Sequence, residues 1–259
     1  MNIIIGDIGN TVTKICLIKE KTFAIKKKVS LSSKDILSKN TFRKKINKFL
    51  KNEILNSTAL FSSVVPKYNK IIRIFLKKTY KVNLIEIKEN KIKNIIRLNI
   101  TNKKQLGSDR IANSVGVYKK YKTNCIVVDF GTATTFDIVT KKGSYNGGVI
   151  APGVNLSIKS LTVSADQIPT FSIKKQKKII GKNTLEALNA GFYWGYSGLI
   201  NNIILKIEKE TQKKYKVIFT GGYADLFKTS IRRAFTVDKN ITIRGIIEIY
   251  KQNIRNFTK

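Results

Sequence analysis

The chain carries 259 residues, 42% of them hydrophobic, with 50 Lys+Arg against 16 Asp+Glu for a net charge of +34, and no histidine. The length fits one large domain or two modest ones, each able to bury a core. The missing histidine excludes a Ser-His-Asp triad, a Cys-His pair and any His-ligated metal, so an enzyme built on this chain moves protons with a carboxylate or a lysine.

The charge alone points to nucleic acid or an acidic surface. The lysines, however, run along the whole chain and are not clustered among aromatics. Lys, Ile and Asn, all with A/T-rich codons, are abundant throughout. That fits a drifted composition, with non-specific polyanion binding as a by-product and no specific nucleic-acid partner. No apolar run is long enough to span a bilayer. No basic leader opens the sequence, and Asp7 interrupts its first apolar run, so neither a signal peptide nor a membrane partner is expected and the location expected is cytoplasmic. Cys16 and Cys125 sit in apolar runs and read as reduced core residues.

In chain order, the first 20 residues read as strand, tight turn and return strand: Ile3 and Ile5 alternate before the turn, Ile15 and Leu17 after it. An amphipathic helix follows near 41–54, with Phe42, Ile46, Phe49, Leu50 and Ile54 at helical spacing and Thr41 as its cap. "TALFSSVV" reads as a strand. Pro66 opens a helix with Tyr68, Ile71, Ile72, Phe75 and Leu76 on one side. Residues 82–87 read as a strand, and Gly107-Ser108-Asp109 stand at the start of a helix whose inner face holds Ile111, Ala112, Val115 and Tyr118. A second hairpin begins at Cys125. "GGVIAPG" reads as a glycine-rich loop before a helix near 154–162, and a basic loop spans 172–182. A long helix starts at Asn183 or Thr184, "KVIFT" is a strand running into Gly221-Gly222, and "ITIRGIIEIYKQNI" is a closing helix. Strands then helices, twice, make an α/β chain in two lobes, expected at 1–118 and 119–259.

The two hairpins repeat one phrase. A shift of 122 residues lays Asp7 on Asp129, Gly9 on Gly131, Asn10 on Thr132 and Thr13 on Thr135. Apolar runs flank both copies, and the better reading is an internal duplication. A tight glycine turn between strands exposes backbone N–H groups that, with Thr or Asn side chains, cradle phosphate oxygens. An aspartate at the strand end repels phosphate unless a cation bridges them, as Mg²⁺ on ATP does. Two hairpins facing each other across a cleft would grip a polyphosphate from both sides. A single copy would be read as an ordinary turn with Asp and Thr as turn formers. Other nucleotide signatures fail: "GKNT" at 181–184 lacks the upstream glycine of a P-loop, and "DFG" at 129–131 lacks the histidine-containing catalytic loop of protein kinases.

"DIGNT", "SSVVP", "LGSDR", "DFGTATTFD", "GGVIAPG", "LTVSADQIP", "GKNTLEALNAG" and "TGG" occur in an order that resembles type III pantothenate kinases, from residue 3 to about 250. These belong to the actin/hexokinase/Hsp70-like superfamily. The resemblance implies a duplicated ribonuclease H-like (actin-like ATPase) fold, with two lobes of mixed sheets flanked by helices and an ATP cleft between them. It implies ATP-dependent phosphorylation of pantothenate to 4'-phosphopantothenate, the first step of coenzyme A biosynthesis, by a homodimer. Carried over by motif, Asp7, Ile8, Gly9, Asn10, Thr11, Val12, Thr13 and Lys14 bind ATP phosphates, with Asp7 towards Mg-ATP. Thr132 also binds ATP, and Asp129 holds a monovalent cation, K⁺ or NH₄⁺. Gly107, Ser108, Asp109 and Arg110 contact pantothenate, with Asp109 as the general base, and Thr184 contacts it from the other protomer of the dimer.

Read from the residues alone, Asp109-Arg110 fits an exposed N-terminal helical turn, where Asp favours the dipole, better than catalysis; the company of the other motifs reverses that order. The chemistry agrees with the resemblance. A carboxylate orients a primary alcohol and takes its proton late in a loose transition state, and Arg110 suits a substrate carboxylate through a bidentate pair. Two departures bear on the substrate pocket: Ile100 and Lys103 stand where relatives carry Tyr and Pro, the tyrosine lining the pantothenate pocket. Ser164 replaces a usual threonine. Gly191, Gly195 and Gly198 fall on nearly one helical stripe, read first as tight core packing and second as a dimer interface. Two alternatives stay open: a same-fold small-molecule kinase with another acceptor alcohol, and a catalytically silent regulatory or nucleic-acid-binding relative.

Overall fold

Burial of the apolar runs on either side of each Asp-x-Gly phrase organises the chain into two sheets of one design. A computed structural model describes residues 1–89, 95–229 and 234–257. The chain runs β1 (Asn2–Ile8), β2 (Val12–Lys19), β3 (Ile25–Ser32), α1 (Ser33–Leu37), α2 (Lys39–Leu50), β4 (Thr58–Ser63), α3 (Pro66–Tyr80), β5 (Asn83–Glu86), a two-residue β6 (Arg97–Leu98) and α4 (Ser108–Tyr121). It continues through β7 (Cys125–Phe130), β8 (Ala133–Val139), β9 (Ser144–Pro152), α5 (Val154–Ser164), α6 (Thr184–Thr211), β10 (Lys216–Gly221), α7 (Ala224–Phe227), β11 (Phe235–Val237) and α8 (Ile241–Phe257).

Two compact units result, Met1–Lys120 with Asn240–Lys259, and Tyr121–Lys239. In the first, strand order is β3-β2-β1-β4-β5; in the second, the unit's own five strands run β9-β8-β7-β10-β11. The pairing matches strand for strand. The first three strands of each are antiparallel neighbours, and the last two add in parallel beside the central strand. Helices fall at the same places in both halves, and the sheets are therefore two copies of one βββαβαβ plan.

The pairing also refines the repeat. Ile8 pairs with Thr13 and Asp7 with Lys14, whereas Phe130 pairs with Thr134 and Asp129 with Thr135. The first turn holds one residue more. Past the turn, Thr13 therefore corresponds to Thr134, not to Thr135, and Lys14 corresponds to Thr135. Thr13 and Thr134 are both fully buried.

Each core forms between the sheet and its helices. In the first unit Ile4, Ile8, Leu17 and Phe61 meet Phe42, Ile46, Ile72 and Leu76 from α2 and α3. In the second, Val128, Phe130, Phe136 and Phe219 meet Tyr193, Ile200 and Ile204 of α6, and Phe130 stacks on Phe227 at 5.4 Å between ring centroids. Cys16 and Cys125 are free and buried, and burial pushes their thiols up to about 11 and about 12.

Several expectations change. Residues 144–152 are the strand β9, not a loop. The cap of α2 is Ser38, whose hydroxyl donates to Thr41 Oγ1 at 2.9 Å, and Ile54 lies outside the helix and is exposed. The lysine-rich β3 is an edge strand, where Lys26 and Lys27 pair with Glu53 at 2.8 Å each. The unit boundary falls at Lys120/Tyr121, and α8, expected with the second lobe, groups with the first. The reason is close helix packing: Thr242 donates to buried Asn113 at 2.7 Å, and a Cβ on Gly245 would overlap the Ala112 carbonyl. Gly245→Ala is expected to cost roughly 1–3 kcal/mol through overpacking against α4, read by urea unfolding; unchanged stability would contradict this packing.

Candidate active site

The first hairpin places Asp7 half-buried at the end of β1, opposite Lys14. Ile8 is fully buried beneath it, while Asn10, Thr11, Val12 and Lys14 are exposed. Gly9 N–H donates to Val12 O at 3.2 Å, which closes the turn. The tip is tied down from outside: Ser33 Oγ donates to Asn10 O at 2.6 Å. The result is a rigid, solvent-facing loop with one carboxylate and one ammonium at its base.

The second hairpin repeats this without the lysine. Asp129 is half-buried opposite Thr135, Gly131 N–H donates to Ala133 O at 3.1 Å, and Thr132 is exposed at the tip. Gly221, at the end of β10, lies against Asp129 with φ +85°, and a Cβ there would come 2.7 Å from Asp129 Oδ1 and 2.6 Å from Phe130 N. Glycine tolerates both the positive φ and this close approach. Among the described residues no cluster of three or more His, Cys, Asp or Glu could hold a metal. A cation here would be held by one carboxylate together with backbone and phosphate oxygens. Such a hard oxygen set suits K⁺, or Mg²⁺ on a nucleotide, and does not suit zinc.

The Gly-Ser-Asp-Arg segment opens α4. Ser108 is buried and locks the helix start to the end of β4: its hydroxyl donates to Ser63 O at 2.7 Å and accepts from Ser63 N–H at 3.0 Å. Asp109 Oδ1 accepts from Arg110 N–H at 2.8 Å. A Cβ on Gly107 would overlap that same Oδ1, so the glycine makes room for the carboxylate. Burial raises the Asp109 carboxyl above the ordinary range, opposed by hydrogen bonding and charge from Arg110 and by the charge of Lys88. The exposed helical turn anticipated from the residues alone is instead a half-buried one. Ile100 is half-buried ahead of a 3₁₀ turn at Lys103–Gln105 that leads into Gly107.

Thr184 is the exposed first residue of α6, which Asn183 caps by accepting from Glu186 N–H at 2.9 Å. It lines an apolar groove of about 660 Å³ with Pro152, Leu161, Gly191, Gly195 and Leu199. Gly191, Gly195 and Gly198 are exposed, and a Cβ on any of them would meet nothing within 4 Å. Tight packing within the chain is therefore not their role. The basic loop 172–182 is strapped onto α6, with Lys174 N–H donating to Asn189 Oδ1 at 2.9 Å and Trp194 Nε1 to Lys178 O at 3.3 Å.

Sequence reasoning named Asp7–Lys14, Asp129, Thr132 and Gly107–Arg110, and the structure gathers them into two hairpins and one helix start. It missed Ser63 and the packing role of Gly221. Both lie in segments quoted for their resemblance, "SSVVP" and "TGG", and only strand pairing shows what they do.

A family model described as type III pantothenate kinase matches residues 3–206. A type III pantothenate kinase from Pelagibacter ubique is 48% identical over 245 residues, covering 95% of this chain and 97% of its own length. One from Paramagnetospirillum magneticum is 34% identical over 202 residues, 78% of each chain. Among solved structures, a Campylobacter jejuni protein described as of a Baf family of transcriptional activators superposes with TM-score 0.62 at 23% identity, covering 97% of this chain and 99% of its own. The activator of 2-hydroxyisocaproyl-CoA dehydratase from Clostridium difficile, with bound ADPNP, gives 0.52 at 9% identity over 98% and 96%. These structures show the actin-like fold alone, whereas the near full-length sequence matches show that the chain belongs to the type III pantothenate kinase family.

Proposed function

We propose that this chain transfers the γ-phosphoryl group of ATP to the primary alcohol of pantothenate, giving 4'-phosphopantothenate and ADP at the first step of coenzyme A biosynthesis. The observation that carries the reading is the 48% identity to a pantothenate kinase along 95% of the chain. The geometry supports it. The Asp7–Lys14 hairpin offers a turn and an ammonium to the phosphates. Asp7 faces the Mg²⁺ that accompanies ATP, and that ion neutralises phosphate charge when bound. Thr132 adds a hydroxyl from the second hairpin. Asp129, opposite Thr135 on β8, takes K⁺ or NH₄⁺, which offsets negative charge beside the nucleotide.

On the acceptor side, Arg110 takes the pantothenate carboxylate, and Gly107, Ser108 and Ile100 shape the pocket. Asp109 orients the hydroxyl. As the alcohol oxygen bonds to the γ-phosphorus, the bridging P–O bond to ADP breaks and Asp109 accepts the proton. Burial that raises the Asp109 carboxyl also makes it a better proton acceptor once ionised.

The apolar groove supports a homodimer. Its stripe of glycines faces open space, and Leu156, Val163, Ile179, Ile180 and Leu185 are exposed on α5, the basic loop and α6. A second copy would cover that surface and bring Thr184 of one protomer to the pantothenate of its partner. Buried reduced thiols and dependence on ATP suit the cytoplasm. Ile100 favours one further comparison, since it replaces a pocket tyrosine: other primary alcohols belong in the same assay.

Four outcomes test these roles. Asp109→Asn should lower kcat on the order of 10²–10⁴-fold with little change in the KM for ATP, measured by coupled ADP release. In the wild type the acid limb of kcat should lie above pH of about 4, because kcat falls as pH drops through a carboxyl raised by burial. A limb at or below that value would contradict Asp109 as the base. Asp129→Asn should abolish the difference between K⁺ and Na⁺ buffers; a retained difference would place the cation elsewhere. Gly195→Trp should yield a monomer by sedimentation and lose pantothenate turnover, whereas an intact dimer would remove this groove from the interface.

A further inference from the structure

Outside the residues already assigned, Lys88 stands out among the 50 Lys+Arg because backbone carbonyls hold its ammonium although the residue is exposed. Lys88 follows β5, and its ammonium donates to the backbone carbonyls of Lys104 at 2.8 Å and Leu106 at 2.9 Å. Those carbonyls flank the end of the 3₁₀ turn Lys103–Gln105 and immediately precede Gly107-Ser108-Asp109. No proline stiffens residues 95–107. The turn's own support is thin: Asn102 caps it by accepting from Lys104 N–H at 3.1 Å, and Leu106 N–H donates to Lys103 O at 3.4 Å. Lys88 is itself fixed at its root, where its N–H donates to Glu86 Oε2 at 2.8 Å. Glu86 ends a strand hydrogen-bonded to β4, the strand that also anchors Ser108.

We propose that Lys88 is a positioning residue for phosphoryl transfer: its ammonium clamps the loop that delivers Asp109 and stands as a fixed positive charge beside that carboxylate. The proposal rests on Asp109 being the base. Two consequences follow from one side chain. The clamp holds the acceptor loop in register with β4, so the distance from Asp109 to the pantothenate hydroxyl is fixed before substrate arrives. The charge opposes the effect of burial, keeping Asp109 ionised at lower pH than burial alone would allow. The charged groups facing Asp109 are Arg110, on its own helix, and Lys88, from the segment after β5. Glu86 lies behind Ser108 with its own carboxyl raised by burial.

The test compares Lys88→Met, Lys88→Arg and Asp109→Asn in the full-length protein, with ADP release measured across pH and hydrogen exchange followed in residues 103–107. Lys88 is exposed at the surface, so Lys88→Met should keep the wild-type melting temperature. Lys88→Met should lower kcat/KM for pantothenate about 10-fold, the scale of a charge-assisted hydrogen bond, with KM for ATP unchanged. Its acid limb should move to higher pH, exchange in 103–107 should accelerate, and Lys88→Arg should restore all three. Wild-type kcat/KM and an unmoved acid limb in Lys88→Met would overturn the proposal, as would unaltered exchange in 103–107. An active Asp109→Asn would instead remove the base assignment, and the exchange data would still decide the clamp.

Discussion

The proposed chemistry depends on a carboxylate held at the end of each sheet's central strand. β1 and β7 each have an antiparallel neighbour on one side and a parallel neighbour on the other. The fully buried Ile3-Ile4-Ile5 and Ile126-Val127-Val128 runs fix the strands, and alternation then brings Asp7 and Asp129 to the partly open end. A polar residue is tolerable there because the turn after it faces water. Apolar burial on one side of the residue thus creates the polar site on the other.

Duplication of that arrangement gives two turns, and a one-residue difference separates their chemistry. The longer first turn sets Lys14 opposite Asp7, while the shorter second sets Thr135 opposite Asp129. In the proposed roles the first turn, with Lys14 opposite Asp7, serves the phosphates of Mg-ATP. The second, with Thr135 opposite Asp129, is the proposed cation seat. In the proposed mechanism the phosphate cradle and the cation seat are therefore the same hairpin with one residue inserted. The acceptor side follows another rule: Ser108 exchanges two hydrogen bonds with the backbone of Ser63, so the helix start that carries Asp109 is pinned to a strand of the same sheet that carries Asp7.

Much of this was legible in the sequence. Helical spacing and start signals found α2, α3, α4, α5, α6 and α8, and the Asp-x-Gly phrases located both hairpins. What escaped has physical reasons. The lysines of β3 mask its β pattern, since an edge strand carries charge where a central strand would carry Val or Ile. Gly147 and Gly148 made β9 resemble a loop, although backbone pairing to β8 needs no side chain. The shift of 122 matched identities across the second turn at the wrong residue, because identity cannot see which residues pair across a hairpin. The glycines of α6 could not be assigned from spacing, which is the same for a core contact and for a surface one; the open space above them separates the two. Lys88 was invisible among so many other lysines, and only its two carbonyl partners distinguish it.

The roles proposed for the two Asp-x-Gly hairpins and the pinned Gly-Ser-Asp-Arg helix start all depend on phosphoryl transfer to pantothenate. The most direct measurement is ADP release by the wild-type protein from Mg-ATP in K⁺ buffer, with pantothenate and with a panel of other primary alcohols run in parallel. This account predicts release that depends on pantothenate and exceeds that with every other alcohol. Well-folded protein that releases ADP no faster with pantothenate than without it, or prefers another alcohol, would contradict the account.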